Sequence, residues 1–393
     1  MGKTKASAKS LPQLLHPGEQ LRDRYQIRAI IGGGGFGQIF RGYDELREDE
    51  VAIKIEPASA EKRRMKLEHS VLVELRGKPY IPKIRASGEI RGCSFIVMNL
   101  LGRNLSELRR RQKGGRKLSI ATTFQVAVKL VKGLQEMHKI GYLHRDVKPS
   151  NCCIGRAGKQ RHDIHILDFG MTRKFRNSDG TVRKAREYVG FRGTVRYASL
   201  TVHARKEPGP GDDLISLMYS LIEMVKGELP WTHLRDAIGV EKKKLNTQLE
   251  TLCEDLPIGF LEFARHASEL RYDQMPEYDR IIAMLVNCWP EGVTDETPYD
   301  WEARPKKSVD EHTTQKSTED QPKEGADAQR PRSDNAQQPR SDLGALKSDN
   351  ETQPTRSKLD VITNNENNDH ATPTAITNSP QTREKNQTKC NNN

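Results

Sequence analysis

HRDVKPSN occupies residues 144–151 and HILDFG residues 165–170, and these two stretches decide how the rest of the chain is read. Asp146 is a carboxylate suited to orienting an incoming hydroxyl and accepting its proton. Lys148, two residues on, would neutralise charge on a transferring phosphate. Asn151 offers a neutral oxygen and Asp168 a charged one, and hard cations such as Mg2+ want oxygen ligands. The short loop and strand between them would bring both to one ion, with Asp168 as main ligand and Gly170 freeing the turn. A chance loop of this composition is the bland alternative, and the elements upstream weigh against it.

IGGGGFGQI spans residues 31–39. Gly32, Gly34 and Gly37 form a G-x-G-x-x-G pattern, which alone also fits a dinucleotide fold or a plain flexible turn. Here it sits inside YQIRAIIGGGGFGQIFRGYD, which reads as two strands around a glycine turn, not as a strand entering a helix. Glycines let the backbone approach phosphate oxygens and present N–H donors. Phe36 at the tip would cover the phosphates and exclude water. The candidate nucleotide contacts are Ile31, Gly32, Gly33, Gly34, Gly35, Phe36, Gly37, Gln38 and Ile39, with Ala52 on the next strand.

That next strand, EVAIKIE, alternates with period two and carries Lys54. A lysine there is either a surface residue or a cation held beside phosphates, and the second needs a carboxylate partner on the following helix. Glu68 is the best candidate because Leu67, Val71 and Leu72 would pack inward around it; Glu61 is the runner-up, with an exposed helix start as its bland reading.

The rest divides coarsely. Residues 1–18 are Lys/Ser/Pro-rich and expected to be loose. EKRRMKLEHSVLVELRG reads as a charged helix stopping at Gly77, and SFIVMNLL as a buried strand. LSIATTFQVAVKLVKGLQEMHKIG is a long amphipathic helix ending at Gly141, and DDLISLMYSLIEMVKG, IGFLEFARHASEL and EYDRIIAMLVNCW are further helices. Strands first and helices later predict an α+β chain with a small sheet lobe and a larger helical lobe. Past Trp301, Gln, Asn, Ser, Thr, Pro and charged residues dominate, so residues 304–393 are expected to be a disordered low-complexity tail.

These elements, in this order, resemble a eukaryotic protein kinase across residues 19–303. FIVMNLLGRNLSELRRRQ, GFRGTVRYASLTVH, GDDLISLMYSLIEM, GELPW and LRYDQMPEYDRII look like the casein kinase I superfamily, and FRGTVRYAS with PYDWE at 298–302 resembles its tau-tubulin kinase branch. The resemblance implies a two-lobed kinase fold and Mg-assisted transfer of the ATP γ-phosphate to Ser/Thr hydroxyls, with Asp146 as base. It implies adenine held by the backbone of Asn99 and Leu101, Met98 as gatekeeper and Cys153 beneath the purine. Asp213 would brace the catalytic loop. Two positions depart from the pattern: ASLT replaces the usual APE, with Thr201 where the superfamily commonly has Asn, and Met218 stands where kinases often have Gly. A basic residue for reading a pre-phosphorylated substrate is not obvious past LPW; Arg235 is an open alternative.

Charge and cysteine usage bound the partners. The formal net charge is +12, and from Arg304 onward 14 Lys+Arg balance 14 Asp+Glu, so the excess lies in residues 1–303. Protein substrates bearing Ser/Thr, acidic or phosphorylated, are the expected partners. RRRQKGGRK and VRKAREYVGFR raise nucleic acid as a rival, but neither is interleaved with stacking aromatics. Cys93, Cys152, Cys153, Cys253, Cys288 and Cys390 form no CxxC pair, which leaves zinc and redox frameworks without support. No signal peptide, transmembrane run or myristoylation site is evident, Ala6 standing where Ser or Thr is required. A monomer in the cytoplasm, with nuclear entry open, is expected. The alternative function is a pseudokinase scaffold, which typically loses the Lys, the loop Asp or the second Asp; here Lys54, Asp146, Asn151 and Asp168 all stand.

Overall fold

The structure is a computed structural model that describes residues 12–34, 37–57, 62–156 and 158–302. Residues 1–11, Gly35 and Phe36 at the glycine turn, Glu61, and the tail from 304 lie outside the described residues.

The smaller lobe is an antiparallel sheet. Its strands are β1 (Gln20–Leu21), β2 (Tyr25–Gly34), β3 (Gly37–Asp44), β4 (Asp49–Glu56), β5 (Ile84–Ile90) and β6 (Cys93–Asn99), in the order β1-β2-β3-β4-β6-β5. Helix α1 (Lys62–Glu74) lies between β4 and β5 in the chain. β3 alternates buried and less buried positions, as a strand with one core face must. One face packs Tyr25, Ile27, Phe40, Ile53 and Phe95 into a small core. Ile96 and Met98 of β6 instead join Val71 and Leu72 of α1 in the main core. β5 was not read from sequence, because none of its seven positions is fully buried and IRASGEI lacks alternation; its pairing with β6 makes it a strand.

The expectation of a loose segment through residue 18 needs correction from Pro12 onward. Leu15 is only 1% exposed and packs in the sheet-lobe core. Gln38 holds the segment, accepting from the Leu14 N–H at 2.8 Å and donating to the Pro12 carbonyl at 3.0 Å.

The larger lobe carries α2 (Leu105–Arg110), α3 (Ile120–Lys139), α4 (Leu200–His203), α5 (Pro210–Lys226), α6 (Ala237–Leu245), α7 (Leu249–Leu252), α8 (Ile258–Glu269) and α9 (Tyr278–Val286). Two short antiparallel pairs complete it: β7 (Tyr142–Leu143) with β10 (Arg173–Lys174), and β8 (Cys152–Ile154) with β9 (Ile164–Ile166). The long helices fall where the periodicity placed them. α3 starts at the Ser119 cap and is followed by Gly141 at φ +82°, a conformation that favours glycine. The final described turn packs back on α3: Tyr299 is fully buried and stacks on His162 at 4.1 Å, while Asp300 accepts from Ser119 N and Oγ at 2.6 and 2.7 Å. Among the described residues no helix is long and apolar enough to cross a membrane.

Candidate active site

Strand alternation turns Lys54 of β4 toward α1, and helix periodicity turns Glu68 of α1 inward beside Val71 and Leu72. Lys54 Nζ donates to Glu68 Oε2 at 2.6 Å and to Asp168 Oδ1 at 3.0 Å. Burial alone would push the Lys54 ammonium down, but the two carboxylates override it and hold it above its ordinary value. Burial would likewise raise Asp168; the Lys54 ammonium, and after it the Arg64 guanidinium, holds this carboxyl well below the usual range. Glu56, also in the cleft, is pushed up by burial, which Lys54 only partly offsets. Asp168 has φ +66°, and Arg145 of the Asp146 loop φ +67°. Left-handed backbone at non-glycine residues costs roughly 1–3 kcal/mol each and persists only where surrounding contacts hold it.

Those contacts are on hand for the loop. Buried Asp213 accepts from His144 N–H at 2.7 Å and Arg145 N–H at 2.8 Å, with His138 Nε2 at 3.0 Å. His144 Nε2 meets the Leu167 carbonyl at 2.9 Å, and its Nδ1 accepts from Asp146 N–H at 3.2 Å. One imidazole thus ties the loop to the segment that enters Asp168. At the centre, Asp146 Oδ2 accepts from Lys148 Nζ at 2.6 Å and Oδ1 from Thr194 Oγ1 at 2.7 Å. Asn151 Nδ2 donates to the Asp146 carbonyl at 2.9 Å, which leaves its Oδ1 as the atom it can offer a cation.

The cleft between the lobes measures about 440 Å3 and brings together Gly33, Gly37, Ile39, Lys54, Met98, Lys148, Asn151 and Asp168. A Cβ at Gly37 would lie 2.6 Å from the Ile55 carbonyl oxygen, so this close approach requires glycine. The residues fit a magnesium nucleotide: a glycine wall, a buried cation, and two oxygen donors on facing segments. Among the described residues no group of three or more His, Cys, Asp or Glu could hold a metal alone. Asn151 and Asp168 are the oxygen donors that such an ion would find on the two facing segments.

The other expected contacts lie differently. Gly32 and Gly34 lie on β2 opposite β3, and Ile31 is half exposed. The Gln38 side chain needs correction as a nucleotide contact: period two turns it away from Ile39 toward Pro12 and Leu14. Ala52 pairs with Met98, the Asn99 N–H is bonded to the Lys83 carbonyl, and Leu101 has no backbone partner among the described residues. Cys153 is buried on β8, opposite His165 of β9 and bridged to Asn104, and does not line the cleft. Sequence reading missed Thr194 as a partner of Asp146, and Arg64 and Glu56 in the cleft. Thr194 carried a signal in the Gly193–Thr194 pair, and Arg64 in lying one turn before Glu68.

A two-lobed α+β fold with a glycine-lined cleft above a braced Asp146 loop defines the protein kinase class. A family profile described as "Protein kinase domain" matches residues 25–281, and the chain belongs to that family. It is 41% identical over 290 residues to a Dictyostelium discoideum protein named "Probable serine/threonine-protein kinase", covering 73% of this chain but only 58% of the relative. It is 38% identical over 314 residues to a Caenorhabditis elegans "Putative casein kinase I", covering 76% of this chain and 91% of that relative. A second nematode protein, "Putative serine/threonine-protein kinase", is 32% identical over 306 residues, 75% of this chain and 87% of its own length. The similarities place the chain among serine/threonine protein kinases related to casein kinase I.

Proposed function

We propose that the protein transfers the γ-phosphate of ATP to Ser/Thr hydroxyls of protein substrates. The observation that carries this reading is the Asp146 carboxylate, held between Thr194 and Lys148, the latter lining the cleft that contains Lys54 and Asp168. ATP with Mg2+ would supply the phosphoryl donor and offset charge on its phosphates. Asn151 and Asp168 would hold the metal, and Gly32–Gly37 would lie along the phosphates. Lys54, fixed by Glu68, would anchor the phosphates. Asp146 would align the acceptor hydroxyl and take its proton, while Lys148 would offset negative charge on the group in flight. The backbone at Asn99 and Leu101 would hold adenine beside Met98.

The FRGTVRYAS and PYDWE motifs favour the tau-tubulin kinase branch. The basic charge of residues 1–303 favours acidic or phosphorylated protein substrates, met as a monomer in the cytoplasm, with nuclear entry open. The test is phosphoproteomics of a peptide library treated with purified wild type or Asp146→Asn. Ser/Thr phosphorylation by the first and none by the second is expected. Equal phosphorylation by both would overturn the role of Asp146, and transfer by neither would leave a scaffold.

A further inference from the structure

Arg64 stands in α1 one helical turn before Glu68, so both side chains rise from the same face toward the cleft. Its Nη2 lies 3.4 Å from Asp168 Oδ1, the same oxygen that Lys54 takes at 3.0 Å, and its Nε lies 3.9 Å from Glu56 Oε1. The guanidinium also fills the space that Gly170 leaves: a Cβ there would come within 2.4 Å of Arg64 Nε. One end of the cleft therefore holds two cations, Lys54 and Arg64, facing Glu56, Glu68 and Asp168, beneath Gly33 and Gly37.

We propose that Arg64 is a second phosphate-binding cation, which moves from Asp168 to the terminal phosphate of ATP when the metal nucleotide enters. This deepens the function proposed above and rests on it. A metal held by Asp168 would compete for the carboxylate that both cations share. Lys54 keeps its 2.6 Å bond to Glu68, so it stays fixed. Arg64 sits beside the carboxylate proposed to hold the metal, and so within reach of the phosphates that the metal would accompany. A planar guanidinium can grip two phosphate oxygens at once, which an ammonium cannot.

A terminal-phosphate contact separates ATP from ADP, whereas a residue that only positions Asp168 acts on both alike. Calorimetry on the full chain, with Mg2+ and either ADP or a non-hydrolysable ATP analogue, reads this directly. Arg64→Gln should weaken the ATP analogue about tenfold and leave ADP within about twofold, the size of one charge-assisted hydrogen bond. Arg64→Lys should recover part of the loss, and it also serves should the Gln variant fold poorly. KM for ATP should rise by the same factor. Equal weakening of both nucleotides, or no change in either, overturns the inference while wild-type transfer leaves the kinase reading intact. Wild type that binds neither nucleotide overturns both.

Discussion

Thr194 Oγ1 donates to Asp146 Oδ1 at 2.7 Å and accepts from Lys148 Nζ at 2.9 Å, across 48 and 46 positions of chain. The 2.6 Å Lys148–Asp146 pair closes the triangle, so the segment after Gly193 sets the orientation of the Asp146 carboxylate. A hydrogen bond to a charged group contributes about 1.5–3 kcal/mol, so Thr194→Val is expected to lower kcat by roughly tenfold to a hundredfold. KM for ATP should hold within about twofold, since Thr194 would reach the nucleotide only through Lys148. Thr194→Ser, which keeps the hydroxyl, should restore most of the rate; a dead Ser variant would contradict this role.

Lys54→Met and Asp168→Ala should each abolish transfer while the chain stays folded. The first removes the cation shared by Glu68 and Asp168, the second a proposed metal ligand. Positioning and electrostatics supply most of phosphoryl-transfer catalysis, so losses of about a thousandfold or more are expected. Turnover assays beside circular dichroism decide it, and near-normal rates in either variant would sink the site assignment.

Asp213 should govern acid stability. Burial favours its neutral form, but His138 and the backbone N–H of His144 hold it below the usual carboxylate value. A depressed folded value means that its contribution is fully present above the unfolded value of about 4 and is lost as pH falls through the folded one. Asp213→Asn puts an N–H2 against backbone donors, and leaving such buried groups unmatched costs roughly 1–3 kcal/mol or more. Denaturant melts from pH 3 to 7 should show a flatter acid limb in the variant; parallel limbs would count against this.

Lys244 predicts a slope on the alkaline side. Its ammonium is buried, donating to the carbonyls of Val195 and Ala198 at 2.8 and 2.5 Å beneath the segment that carries Thr194. His203 lies 3.3 Å away, and the Tyr219 and Trp231 rings face it at 5.0 and 5.2 Å. Burial pushes it down to about 7. Between there and the ordinary lysine value of about 10.4 the unfolded chain binds more protons, so stability should rise with pH across that window. Melting of wild type from pH 7 to 9.5 should show the rise, and Lys244→Met should remove it.

The last described turn should mark the edge of the folded unit. Tyr299 is fully buried against His162, and Asp300 caps α3 through Ser119. A chain ending at residue 303 should stay soluble and active. One ending at residue 290 empties the Tyr299 site, and removing a large buried aromatic typically costs about 3–5 kcal/mol. Chemical denaturation of the two truncations separates them, and equal stability would place the edge earlier.

Much of this was readable from the chain alone, for reasons that are local. Asp146, Lys148 and Asn151 share one loop, and the alternation of β4 with the inward face of α1 marks Lys54 and Glu68 as a pair. α8 and α9 announce themselves because each buries one stripe at helical period, whereas α3 and α5 are buried on nearly every face and show themselves by their length. Periodicity states which face turns inward, not what it meets there. That Gln38 faces Leu14 rather than a nucleotide, that Leu15 docks at all, and that β5 is a strand depend on contacts made by other segments. Thr194 reaches Asp146 and Arg64 reaches Asp168 across 48 and 104 positions, distances over which no sequence pattern carries a register. The sequence by itself determined which groups are candidates for the chemistry, because they are grouped in short local motifs; the packing of α1 and the segment after Gly193 against the Asp146 loop decided which further side chains touch them.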